Sequence, residues 1–303
     1  MSLLVVGSIA LDSVDTPQES RGDLLGGSAV YFSYAASYFT SVRLVGAVGE
    51  DWPSEHTALL QSRQIDTGGL QVVAGGETFR WRGKYFTNMN DRETLEVQLN
   101  VLGDFEPKVP DEFRRSPFVF LANGSPVMQR KVLEQCIGPR LVVADTMDLW
   151  IREEQSDLME LLARIDGLVL NDSEAKLLTG EENLVIAGNK VRQFGPKFVV
   201  IKKGEHGAMF FSEFETYVLP AFPTAVVVDP TGAGDSFAGG MMGYLTERDN
   251  YDADTLKRAM AYGILTASFT VEDFSLDRLR QIERQDLELR MDKYRRMLSF
   301  EAT

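Results

Sequence analysis

Val228-Asp229-Pro230-Thr231-Gly232-Ala233-Gly234-Asp235-Ser236-Phe237 sets a lone carboxylate directly after a run of small residues, where a strand pattern gives way to a helix pattern. Upstream, Ala225-Val226-Val227-Val228 is a continuous, mostly β-branched run that reads as a short buried strand, and Ser236 to Leu245 carries apolar residues at helical spacing. Glycines at 232 and 234 let the backbone turn tightly and approach a ligand with no Cβ in the way. The unpaired N–H groups of a helix start attract anions. Asp235, among those donors, is placed to take a proton from an attacking hydroxyl while they hold the charge of a phosphoryl group. On its own the turn reads equally well as a tight connection in which Asp235 only caps the helix.

Working outward, short apolar runs recur with helical segments between them: Leu3 to Val6, Arg43 to Val48, Phe118 to Ala122, Leu141 to Ala144, Leu168 to Leu170 and Phe198 to Ile201. That alternation predicts βα units on a mostly parallel sheet. Gly7-Ser8, Asn123-Gly124, Asp145-Thr146, Asn171-Asp172 and Lys202-Lys203 come at or just past the ends of these runs, the edge at which open α/β sheets form their ligand crevice. The stretch from about Gly68 to Phe105 breaks the pattern. Glu77 to Tyr85 alternates with period two, which predicts an antiparallel flap with Phe79, Trp81 and Tyr85 on one face and Arg80, Arg82 and Lys84 on the other. Such a flap would serve as a cover for the crevice or as a dimer surface. Leu276 to Phe300 reads as a packed C-terminal helix pair, and Ser28 to Tyr38 as a helix opened by Gly26-Gly27 with Ser28 at its start. With no repeat or linker, residues 1–303 read as one domain with an inserted flap.

Composition narrows the chemistry. The 303 residues are 44% hydrophobic and 25% charged, as in a globular chain, and 31 basic against 45 acidic residues give a net charge of −14, which argues against a nucleic-acid or anionic-membrane partner. The only cysteine, Cys136, rules out an intrachain disulfide framework and fits a reducing cytoplasm. His56 and His206 stand far apart and outside any metal-ligand spacing, so a histidine triad or zinc hydrolysis is disfavoured and a carboxylate is the natural base. The apolar start, Met1 to Val6, lacks a basic flank and is interrupted by Asp12, so it reads as a first strand.

Asp229 to Gly240 resembles the C-terminal signature of the PfkB, or ribokinase-like, family of ATP-dependent kinases. Gly26-Gly27, Asn171-Asp172-Ser173-Glu174 and Val199 to Ala208 fall in the order that family shows, so the resemblance spans most of the chain. It implies a three-layer α/β/α domain with a mostly parallel central sheet and a small β-lid, built mainly from about 68–105 plus part of 10–25. It implies Asp235 as catalytic base for a primary hydroxyl, with the N–H groups of Gly232, Ala233 and Gly234 as anion hole. Asn171 and Glu174 match the family's N-x-x-E element, which organises Mg²⁺ and phosphate through water; from the residues alone they read as helix-cap positions. Lys202, Gly204, Gly207 and Thr231 would lie beside ATP, and a monovalent cation is a further expectation. Asp12, Gly26, Gly27, Ser28, Tyr31 and Asn123 would face the acceptor.

One departure concerns the acceptor. Many sugar kinases of the family carry an Asn four residues beyond the second glycine, where Tyr31 stands here. Gly7 to Asp12 is similar to bacterial adenosine and other nucleoside kinases, and Tyr31, Phe32 and the lid aromatics would offer stacking surface to a base, against the commoner reading of aromatics beside a di-glycine as core. The expectation is a kinase for a ribonucleoside, with a free sugar such as ribose or fructose as the alternative and a non-catalytic nucleotide-binding regulator as the remote one. A Walker A string is absent, and Phe237 stands where a dinucleotide fingerprint needs its third glycine.

Overall fold

In the computed structural model, which describes residues 1–299, the chain forms two sheets. The larger has nine strands in the order β13-β12-β11-β10-β9-β8-β1-β4-β5. These are β1 (Ser2–Val6), β4 (Ser41–Gly49), β5 (Ile65–Val73), β8 (Phe118–Leu121), β9 (Leu141–Asp145), β10 (Gly167–Asn171), β11 (Phe198–Lys202), β12 (Ala208–Ser212) and β13 (Thr216–Leu219). From β5 to β11 all neighbours are parallel, and the β12–β13 hairpin closes the edge antiparallel.

Period-two geometry splits the strand side chains between two helical layers. Leu3 and Val5 of β1, Phe118 and Phe120 of β8 and Val200 of β11 enter a core with α1 (Ser28–Ala36), α8 (Ala233–Arg248), α9 (Ala253–Thr270) and α11 (Arg284–Leu298). Leu4, Val6, Val119, Leu121, Val199 and Ile201 face the opposite core, with α3 (Pro126–Gln135), α5 (Gln155–Leu162), α6 (Asp172–Thr179) and α7 (Leu184–Gln193). Strands buried on both faces explain the continuous apolar runs. Three short helices, α2 (Ser54–Ser62), α4 (Asp148–Glu153) and α10 (Asp277–Arg280), complete the set. The architecture is the expected three-layer α/β/α arrangement. The C-terminal stretch is the short α10 followed by α11, and Phe300 lies outside the described residues. No described helix is long and apolar enough to cross a membrane.

The smaller sheet has the order β3-β2-β6-β7, from β2 (Ala10–Asp15), β3 (Ser20–Gly26), β6 (Phe79–Tyr85) and β7 (Arg92–Gln98). Two excursions from the body thus share one lid, and they meet through a parallel β2–β6 pairing. Thr78, fully buried, pins the lid's root. Its hydroxyl accepts from Gly49 N–H (3.0 Å) and donates to Asp51 (2.7 Å). The arginines of the outer face are tied in surface ion pairs, Arg80 to Asp23 and Asp51 and Arg82 to Asp15.

Two expectations fail. Ala225 to Val228 is not a buried strand: Val226 and Val227 are 56% and 39% exposed, and the segment meets the body through Val228 N–H donating to Val271 carbonyl (2.8 Å). Stiff β-branched side chains favour extended backbone, but the sheet already ends at β13 and offers this segment no ladder. The flap also starts later than Gly68, because Gly69 to Val73 continue β5 in parallel register with β4.

Candidate active site

The N-terminus of α8 lies where the turn Asp229 to Gly232 delivers it. Gly232, the N-cap, has φ of 74°, a left-handed conformation that favours glycine, and a Cβ there would fall 2.3 Å from ring atoms of Tyr31. The turn is locked by Thr231 N–H donating to Asp229 Oδ1 (2.9 Å). Of the three expected anion-hole donors, Ala233 N–H is turned back onto the Pro230 carbonyl (3.1 Å), because the tight turn closes a hydrogen bond of its own. Gly232 and Gly234 N–H have no such backbone acceptor among the described residues. Lys202, at the end of β11, takes the vacant place beside them: its Nζ would lie 2.9 Å from a Cβ on Gly234. An ammonium group and free N–H groups therefore converge on one point at a helix start, a ready site for a phosphoryl group.

Asp235 stands in the first turn of α8. Burial raises its carboxyl above the ordinary aspartate range, and Lys202 and Arg92 pull it back. A second carboxylate faces it from the body. Asp145, at the end of β9, is 3% exposed, its Oδ1 has no hydrogen-bond partner, and burial, reinforced by the Asp235 charge, holds it well above its usual range. Each charge raises the cost of the other, so the buried pair favours a cation or cationic side chain beside it, and Lys202 opposes the shift at both. Glu174, at the start of α6, adds its charge to that of Asp145. It forms a capping box with Asn171: Asn171 Oδ1 accepts from Glu174 N–H (2.8 Å), and Glu174 Oε2 accepts from Asn171 N–H (2.7 Å). Burial raises the Glu174 carboxyl too, with Lys202 opposing.

On the acceptor side, Asp12 of β2 is buried directly over Gly26. A Cβ there would fall 1.9 Å from Asp12 Oδ2, and Gly27 N–H points at the same carboxylate. Burial pushes the Asp12 carboxyl up to about 7. Gly27 has φ of 96°, and a Cβ would meet the carbonyl of Ser8 at 2.5 Å. Both glycines thus let the chain pass tightly under the acid. Ser28 is buried in a reciprocal clasp with Ser8, its N–H donating to Ser8 Oγ (3.0 Å), so it fixes the di-glycine rather than opening onto a cavity.

Tyr31 does not offer a stacking surface. It is 1% exposed, with Gly232 against its ring; only its hydroxyl, buried without a partner and surrounded by Asp229, Asp12, Tyr85 and Asp235, points toward the site. Phe32 is likewise core, stacked on Phe120 with centroids 4.3 Å apart. Asn123 holds the loop after β9: its Oδ1 accepts from Trp150 Nε1 (2.9 Å) and its Nδ2 donates to Met147 Sδ (3.2 Å).

The lid supplies what the sequence reading missed. Tyr85 hydroxyl bonds to Thr231 Oγ1 (3.2 Å), so the hydroxyl of Thr231 is engaged by the lid instead of facing a nucleotide. Arg92, opposite Tyr85 in the β6–β7 ladder, lies over the Trp81 ring (5.5 Å), and its charge acts on Asp12, Glu174 and Asp235. The Trp81 indole packs against Gly83, where a Cβ would sit 2.1 Å from the ring. Asp145 carried a faint signal as a polar strand ending; Arg92 carried none, since its importance comes from the fold of the lid. Gly204 and Gly207, both with positive φ, shape the turn that directly follows Lys202.

Comparison with known proteins agrees with this arrangement. The cytidine kinase of Thermococcus kodakarensis is 30% identical over 80% of this chain and 87% of its own length. The nucleoside kinase of Methanothermobacter thermautotrophicus is 30% identical over 89% of each chain. The crystal structure of Methanocaldococcus jannaschii nucleoside kinase, described as an archaeal member of the ribokinase family, superimposes with a TM-score of 0.78 at 20% identity, covering 96% of this chain and 98% of that one. Residues 9–278 match the model of the pfkB family carbohydrate kinases, and the chain, a phosphotransferase acting on hydroxyl groups, belongs to that family.

Proposed function

We propose that the chain transfers the γ-phosphoryl group of ATP to the primary hydroxyl of a ribonucleoside. The observation that carries the reaction is Asp235, buried at the start of α8 beside Lys202 and the free N–H groups of Gly232 and Gly234. Asp235 accepts the proton of the acceptor hydroxyl as its oxygen bonds to the γ-phosphorus, while the bond to the β-phosphate oxygen breaks and ADP leaves. The two N–H groups and Lys202 Nζ hold the charge of the transferred group, and Arg92 adds a cation from the lid side. Asp12 fixes the ribose by accepting from its hydroxyls, and Asn171 keeps Glu174 in place by their shared cap.

The carboxylates fit Mg²⁺. Asp145 Oδ1 is a buried hard oxygen without a partner, and Glu174 stands beside the same lysine. Among the described residues no cluster of three or more His, Cys, Asp or Glu gathers around one point, so the ion would share its coordination with phosphate oxygens and water. Bound there, Mg²⁺ supplies charge neutralisation on the transferring phosphates. Asp229, with Oδ2 unpartnered beside the anion-hole turn, is the residue we assign to a monovalent cation. The nucleoside reading draws on the activities of the two relatives above. Cytoplasmic location and pairing of two chains through the lid, where Leu95 and Val97 of β7 are 44% and 50% exposed, belong to the same reading.

An ADP-release assay with cytidine, adenosine, inosine, ribose and fructose tests it. Turnover should be highest with a nucleoside, and Asp235→Asn should lower kcat by about 10³-fold while ATP still binds. Preference for a free sugar would remove the nucleoside, and a variant with most of its rate would remove Asp235 as base.

A further inference from the structure

We propose that Asn90, at the tip of the lid hairpin, is a positioning residue that couples acceptor binding to nucleotide binding through Glu205; this rests on the kinase reading above. Asn90 Nδ2 donates to Glu205 Oε1 at 3.0 Å, across 115 residues of sequence, and a Cβ on Gly204 would lie 3.5 Å from Asn90 Oδ1. The contact therefore joins the lid, whose strand β2 carries Asp12, to the turn Gly204–His206 that follows Lys202.

Both partners are stiff, which is what lets a single hydrogen bond transmit a position. On the lid side, Asn88 Oδ1 accepts from Asn90 N–H (3.2 Å) and Asp91 N–H (3.1 Å), Asn88 Nδ2 donates to Asp91 Oδ2 (2.8 Å), and Phe86 N–H donates to the Asp91 carbonyl (3.0 Å). Met89 of the same turn packs against the small cluster of Val14, Tyr85 and Phe274. On the body side, Lys203 N–H donates to the Gly207 carbonyl (2.8 Å), and at Gly207 a Cβ would strike the Leu219 carbonyl at 2.1 Å. Arg92 lies two residues beyond Asn90, and Lys202 three residues before Glu205. The two cations that act on Asp235 thus stand at the roots of two turns whose tips are bonded to each other. When an acceptor draws the lid down, Asn90 meets Glu205 and the nucleotide turn is held; a nucleotide that orders the turn offers the lid its resting place. By linkage the effect is reciprocal.

Calorimetric titration measures it: the affinity for a non-hydrolysable ATP analogue with Mg²⁺, with and without a saturating acceptor, in the full chain. The acceptor is whichever compound of the five-member panel above saturates the wild type, so failure of nucleosides alone would remove the nucleoside reading and leave the coupling measurable. The wild type should bind the analogue about tenfold more tightly with acceptor present. Asn90→Ala and Glu205→Ala should each cut that factor about fivefold, and the double variant should cut it no further. Both side chains are exposed, so the variants should fold. Asn90→Asp, of the same size but facing Glu205 with a like charge, should lower the factor below that of Asn90→Ala. Coupling absent in the wild type, or equal in the wild type and all variants, would overturn the proposal.

Discussion

In the nine-stranded sheet, β8 and β9 are buried at every residue, whereas every residue of β7 at the lid's edge is exposed. The body rests on two large apolar cores, one on each face of its sheet. The lid's own cluster is centred on Val14, Tyr85 and Phe274, and its outer face is held by surface ion pairs, which add about 0–1 kcal/mol each. Burial fixes the body at many points, while the lid is fixed at its Thr78 root and at contacts such as Tyr85–Thr231. An element with little buried surface opens at low cost, so the lid's closed state depends on what lies beneath it.

The contrast is broken most directly by paired truncations. Phe120→Ala, which removes a fully buried ring stacked on Phe32, should cost about 4 kcal/mol in a urea melt. Val97→Ala in the lid should cost less than about 0.5 kcal/mol; similar losses at the two sites would mean that the lid is as firmly built as the body. Gly232→Ala comes next. It forces a Cβ into left-handed backbone and onto the Tyr31 ring, so stability should fall by about 3 kcal/mol and turnover should fall with it. Unchanged turnover would show that the turn does not hold the phosphoryl group.

The smallest effect is a dependence on pH. Asp12 titrates at about 7 in the folded chain against an ordinary 3.8, so the folded state holds its proton more tightly than the unfolded one. Its contribution to stability is whole below about pH 4 and is lost as pH rises through about 7. Asp12→Asn should therefore match the wild type at pH 4 and exceed it in stability at pH 8, while the acceptor KM rises. A difference of the opposite sign would mean that Asp12 is ionised and stabilised by a partner.

How far the sequence disclosed this molecule follows the same division. Strands buried on both faces announce themselves as apolar runs, and β1, β4 and β8 to β11 were legible for that reason. The β12–β13 hairpin was not singled out, and Ala225 to Val228 deceived, because side-chain branching reports extended backbone but not a neighbouring strand. Asp235, Gly232 and Gly234 were legible because the motif is local, within one turn. Asp145 showed only as a polar strand ending and Arg92 not at all, because strand order brings one to Asp235 and the lid brings the other. Tyr31 stood between two readings, stacking surface and core, and it is core because Gly232 covers its ring.

The parallel β2–β6 pairing has a practical consequence for anyone recombining such enzymes. Residues 10–26 and 79–98 leave the body at separate places and complete each other only as one sheet. The lid is therefore not a cassette: a chimera that exchanges one excursion without the other would pair mismatched strands along β2, which carries Asp12, so a transplant must carry both segments.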